Sequence, residues 1–200
     1  MKKVSLLICV VMLFASVAFS QTLTQADRDH GIAYLNQTRD GVVEAVKGLS
    51  DAQMKFKPAP DRWSVAETLE HIALAESFLF QNIQEKIMKA PAGTADRDTA
   101  KLDAFVLAAI PDRSHKAKAP EPLVPTSRWS PSETLDNFLK ARAKTTEFLT
   151  STPDLRQHVV DSPLGKPLDA YEWVLFTAAH SERHTKQILE VKADPNFPKQ

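Results

Sequence analysis

Apolar residues recur at helical spacing in four stretches of the chain. Ile32, Leu35, Val42, Val43, Val46 and Leu49 mark a first helix over about 24–48. Leu69, Ile72, Leu79, Ile83 and Ile87 form one stripe of a second over about 64–89. Leu135, Phe138, Leu139, Phe148 and Leu149 mark a third over about 130–151, and Trp173, Phe176, Ile188 and Val191 a fourth over about 169–192. No segment keeps the strict alternation of a half-buried strand. The pattern predicts an all-α protein, most simply a four-helix bundle.

The helix starts are written in the same code. Thr24-x-x-Asp27, Ser64-x-x-Glu67, Ser130-x-x-Glu133 and Asp169-x-x-Glu172 each set an oxygen-bearing side chain three residues before an acid. The first can accept from the free N–H groups of the opening turn, and the acid can answer the first residue's own N–H. Pro131 falls at a first helical position, where its missing N–H costs nothing. Leu168 is placed to staple onto Trp173. Two starts share a phrase, RWSVAETLEH at 62–71 and RWSPSETLDN at 128–137. The repeat reads as a helix-start cassette in which Trp63 and Trp129 precede the caps. Its two copies part at the tenth position, His71 against Asn137.

The links differ in length. About fifteen residues, rich in Pro and Lys, join the first two helices, and some seventeen lead into the last. Roughly forty separate helices two and three, enough for a crossover that lets helix three run parallel to helix two. That crossover contains a predicted short helix near Thr99–Ile110 and then PDRSHKAKAPEPLVP, whose prolines forbid regular structure. Phe197 is expected to order the tail by finding a pocket.

The N-terminal segment changes the picture. Lys2 and Lys3 precede an apolar run from Val4, and small residues follow from Ala15 to Ser20. This reads as a signal peptide over 1–20, with cleavage between Ser20 and Gln21, and hence a secreted or periplasmic protein. The run is shorter than the about 18–20 residues of a spanning helix, so no membrane anchor is expected after cleavage. The mature domain, 21–200, then has no cysteine, because the only one is Cys9. It must be stabilised by its core without disulfides, and it has no thiol nucleophile. Removing Lys2 and Lys3 from 25 basic side chains leaves 23 against 25 acidic ones, a net of −2. With no basic stripe, nucleic acid is not an expected partner. The helical faces leave room for a homodimer without specifying one.

Candidate chemistry lies in the histidines. His30, His115 and His158 follow no pattern and read as loop or surface residues. His180 and His184 are four apart, on a face shared with Trp173, Thr177 and Gln187, close enough to hold one ion. If helices two and four are neighbours at matching height, His71 joins them. Three imidazoles on a divalent ion leave a fourth position open, the pattern of a catalytic zinc centre, although imidazole also suits nickel and other divalent ions. HSERH is not the HExxH of zinc proteases: Glu182 lies about 200° round the helix from His180 and points away from an ion. Glu67 and Glu76 are candidates for a general base, and Asn137 and Arg142 for orienting a substrate. A non-catalytic metal- or ligand-binding bundle, or a plain exported bundle with packed histidines, remains as an alternative reading.

WSVAETLEH and HSERHTKQI, at their interval, resemble the DinB-like (DinB/YfiT-like) superfamily of metalloenzymes. The likeness runs over roughly 24–195. It implies a four-helix bundle with a long crossover between helices two and three, and metal ligands at His71, His180 and His184. The superfamily's characterised members include transferases and isomerases that use low-molecular-weight thiols. An ion on the three imidazoles could activate such an external thiol, as in an S-transferase, or water, as in a hydrolase, against a small-molecule substrate not identified by the resemblance. The export signal departs from the thiol-dependent relatives, whose thiol cofactors are mainly cytosolic.

Overall fold

The computed structural model describes residues 22–94 and 96–199. The expected signal peptide and its cleavage point at Ser20–Gln21 lie outside the described residues. Among the described residues six α-helices form: α1 (Gln25–Val46), α2 (Asp51–Lys55), α3 (Val65–Glu85), α4 (Thr99–Ala109), α5 (Pro131–Ser151) and α6 (Ala170–Lys192). The long ones, α1, α3, α5 and α6, are the four of the bundle, and all four expected capping boxes are made.

Four local elements depart from the sequence reading, one of them a 3₁₀ turn, Glu121–Leu123, in the proline-rich run expected to be irregular. The first link contains α2, opened by a capping box of Ser50 and Gln53. α3 ends at Glu85, and its last expected turn is a separate 3₁₀ turn, Ile87–Lys89. A two-stranded antiparallel hairpin, β1 (Val159–Asp161) and β2 (Pro167–Asp169), leads into α6. Strands of three residues are too short to display an alternation, and the hairpin turns at Gly165, where φ is +70°.

Cross-helix bonds fix the directions. Asp27, Tyr34 and Ala45 of α1 bond to Tyr171, Glu182 and Lys192 of α6, so these two helices run parallel. Glu70 meets the backbone just before α5 while Glu76 meets Arg142 and Thr145, so α3 and α5 also run parallel. Arg28 donates to the carbonyls of Leu149 and Thr152, which sets α1 against α5 in the opposite sense. The crossover therefore does what its length predicts.

The apolar interior is divided into two clusters. Leu35, Leu79, Leu149 and Leu175 belong to one, and Val42, Leu69, Phe138 and Ile188 to the other. Between them lies a buried polar layer. Arg142 donates from Nε and Nη2 to the two oxygens of Glu76, each at 2.8 Å. It also donates to Leu35 O at 2.7 Å, Thr38 Oγ1 at 2.7 Å and Ser181 Oγ at 2.8 Å. One guanidinium thus contacts all three other long helices with every N–H used. At the bundle's end Phe197 packs edge-on against Phe56, with centroids 5.6 Å apart, so the tail does find its pocket.

A buried ion pair left with one member is costly, about 3–5 kcal/mol. Urea unfolding of Glu76→Ala is expected to show a loss of about that size. Removing the α3 cap in Ser64→Ala should cost about 1 kcal/mol.

Candidate metal centre

His71 sits two turns into α3, and His180 and His184 one turn apart on α6. Because α3 and α6 run antiparallel, His71 falls opposite the pair. One ligand nitrogen from each ring can be chosen so that all lie within 4.8 Å of one another. Ring centroids are 5.0 Å apart for His71–His180 and 4.4 Å for the other two pairs. Nitrogens around a tetrahedral ion at Zn–N distances of about 2.1 Å sit about 3.4 Å apart, so modest ring closure would suffice.

The tautomers are set from outside. His71 Nδ1 is 2.7 Å from Leu123 O, a carbonyl that can only accept, so Nδ1 carries the proton and Nε2 is left with its lone pair. His184 Nδ1 is 2.9 Å from Gln187 Oε1, whose amide is held in turn by Arg113 at 3.1 Å. Burial lowers the pKa of His71. It holds His180 well below the ordinary imidazole value, helped by the neighbouring His184 and His71. It pushes His184 down to about 3. Three neutral imidazoles with two lone pairs already aimed form a donor set suited to a divalent cation. Trp63 closes one side, its ring 4.8 Å from His71 and 6.5 Å from His184.

The triad lies at one end of a cavity of about 880 Å³ between α3 and α6. A strap running from Ile110 to Leu123 covers that end. Arg183 holds the strap by donating to the carbonyls of Ile110, Asp112 and His115, the last at 2.6 Å. Arg113 adds a bidentate pair to Glu190, at 2.6 and 2.7 Å. At the far end His71 itself fastens Leu123. Beyond the strap, Glu70 accepts from the backbone N–H groups of Thr126 and Ser127, at 3.0 and 2.8 Å.

The other sequence candidates do not join the site. Glu67 is spent on its capping box and on Lys57 at 2.7 Å. Glu76 and Arg142 are spent on each other in the core, and neither they nor Asn137 lines the cavity. Glu182 points away as expected, accepting from Tyr34 and pairing with Lys186. His158 is structural, bonded to Ala90 O and Asp154, and His30 is exposed. His115, read as a loop residue, lines the cavity mouth. Sequence reasoning gave no site role to Trp63 or Arg183. Gln187, one turn beyond His184 on the same face, was the most readable of the supporting groups.

A family model described as the DinB superfamily matches residues 34–188. The chain belongs to the DinB superfamily. An uncharacterized protein of Bacillus subtilis (strain 168), YuaE, is 25% identical over 163 residues, covering 80% of this chain and 96% of that protein. A solved structure, YfiT from Bacillus subtilis, superimposes with a TM-score of 0.55 at 15% identity, over 88% of this chain and 91% of that one. YfiT is described as "a probable metal-dependent hydrolase with an unusual four-helix bundle topology". At that identity the likeness establishes the shared fold, and the parallel pairing derived above is the topology this DinB chain adopts.

Hydrogen bonds to a charged group are worth about 1.5–3 kcal/mol each. Arg183→Ala should therefore raise tryptic cleavage of the strap after Arg113, Lys116 and Lys118 at least about tenfold, with the global unfolding midpoint changed far less. Limited proteolysis beside urea unfolding separates the two.

Proposed function

We propose that this chain is a metal-dependent hydrolase in which His71, His180 and His184 hold one divalent cation. The observation that carries the reading is the convergence of three neutral imidazoles at the end of an apolar cavity. The description of YfiT as a probable metal-dependent hydrolase supports it. Zinc is the ion that three imidazoles and an open position favour most directly, with nickel the nearest alternative.

His71, His180 and His184 would hold the cation, which would supply Lewis acidity and a water acidic enough to be a nucleophile near pH 7. The chain's own residues do the rest. Leu123 O and Gln187 fix the proton on Nδ1 of His71 and His184, which keeps both Nε2 atoms available. Arg113 orients Gln187, and Trp63 shields two of the rings from bulk water. The strap confines the reacting end of the cavity, where a low dielectric strengthens every charge interaction. We also assign the site to the exported side of the membrane, on the strength of the leader pattern over residues 1–20. No helix among the described residues is long and apolar enough to cross a membrane.

Elemental analysis of natively purified protein is expected to find one divalent ion per chain, absent from a variant with all three histidines changed to Ala. Adding the ion to stripped protein at a hundred times its dissociation constant stabilises the folded state by about 2.7 kcal/mol, a rise in Tm of about 5–11 °C. No uptake and no shift would overturn the reading. Gln187→Leu leaves the His184 Nδ1–H without its acceptor and should weaken metal binding about 10–100-fold, read by chelator competition.

A further inference from the structure

The cavity has two chemically different ends, and their order along α6 is fixed. Trp173, Phe176, His180, His184 and Gln187 all line it from one helix face. From Trp173 to His184 the helix rises roughly 16 Å, at 1.5 Å per residue. α3 runs the other way, so Phe78 and Leu79 lie beyond His71 toward the Trp173 end. Trp173 and Phe176 pack with centroids 5.1 Å apart, and Leu164 of the β-hairpin tip adds to the same apolar wall. Phe78 is 44% exposed, an aromatic ring held open to solvent at the cavity's edge. The cavity is therefore a trough, polar at the triad and apolar along its length.

The triad end is also positively charged. Arg62, Arg113, Lys116, Lys118 and Arg183 line the cavity there, against Asp61 and Asp112. Glu190 engages Arg113 and, at 3.7 Å, Arg62. Among the described residues, Lys116, Lys118 and Arg183 have no carboxylate within ion-pair distance, and Arg183 is held by carbonyls alone. In a chain whose 25 basic and 25 acidic side chains balance, this is a local excess of cations beside the reacting end.

We propose that the trough binds an apolar acyl chain along Trp173, Phe176 and Phe78, joined through an ester or amide at the histidine triad to a small leaving group that carries a carboxylate. This rests on the hydrolase reading above and names its substrate class. Water's oxygen bonds to the acyl carbon, and the bond from that carbon to the ester oxygen or amide nitrogen breaks. One proton passes from the water to the leaving atom, giving a carboxylic acid and an alcohol or amine. The strap cations neutralise the leaving group's carboxylate, and the trough removes the chain from water.

The test uses the full chain as purified and ethers that cannot be hydrolysed, so that binding is read apart from turnover. Decyloxyacetate is compared with hexyloxyacetate, which shortens the tail, and with decyloxyacetamide, which removes the charge. Calorimetry gives the affinities, and the fluorescence of Trp63 and Trp173, both in the cavity wall, reports occupancy. Decyloxyacetate is expected to bind at least about tenfold more tightly than either comparison. Phe78→Asp should reduce the tail margin, and the double variant Lys116→Glu/Lys118→Glu the charge margin; all three residues are solvent-facing, so folding is spared. Equal affinities for the three ethers, no binding, or a charge margin unmoved by the double lysine variant would overturn the proposal. Margins that hold in a protein that takes up no metal count against the hydrolase reading alone. Metal-dependent hydrolysis of short neutral esters with flat margins counts against this inference alone.

Discussion

The arrangement depends on one guanidinium. Arg142 of α5 is 1% exposed, yet all of its donors find acceptors, distributed over α1, α3 and α6. Apolar contacts tolerate sliding of one helix along another, because one methyl group serves much as its neighbour does. A planar fork that must meet Glu76, Thr38 and Ser181 together does not. Ser181 follows His180 directly, and Glu76 lies five residues after His71. The bond that fixes the height of α6 against α3 is therefore also the bond that brings the imidazoles level. The pair's net effect on stability is small or unfavourable relative to apolar packing, and its contribution is to register.

Much of the architecture was legible because it is written locally. Each long helix opens with a side-chain oxygen and an acid three residues on, and the structure makes all four boxes. His180 and His184 share a face by period alone. His71 could be joined to them only through the family resemblance, since the height at which two helices meet is a property of packing. The same limit explains the errors. Glu76 and Arg142 look like catalytic groups in a sequence, being a carboxylate and a guanidinium on inward faces, and only their mutual distance of 2.8 Å shows them to be core. The strap was read as irregular, and it is so except for the 3₁₀ turn Glu121–Leu123 at its end. That its carbonyls converge on Arg183 depends on a fold in which residues about seventy apart meet. The hairpin escaped because its strands are shorter than one full alternation.

The cavity is built from elements of unequal permanence. α3 and α6 are long, capped and mutually braced. The roof is a proline-rich segment held mainly by charged contacts from Arg183 and Arg113 and by His71. Segments with few buried apolar contacts and hydrogen bonds near solvent open first. His71 therefore belongs to both the floor and the roof, and whatever changes at its Nε2 is felt through Nδ1 at Leu123 O. The ring is the shortest covalent path between the reacting end of the cavity and its cover.

Parallel pairing has an electrostatic consequence. In an up-down bundle each helix lies beside partners of opposite polarity, and their macrodipoles attract. Here α3 and α5 start side by side, as do α1 and α6, so like poles are adjacent at both ends of the molecule. Each of the four starts carries an acid in its first turn: Glu67 and Glu133 at one end, Asp27 and Glu172 at the other. These carboxylates do more than close their own turns. They place negative charge beside two positive helix poles that the parallel pairing brings together, and so offset the repulsion within each parallel pair.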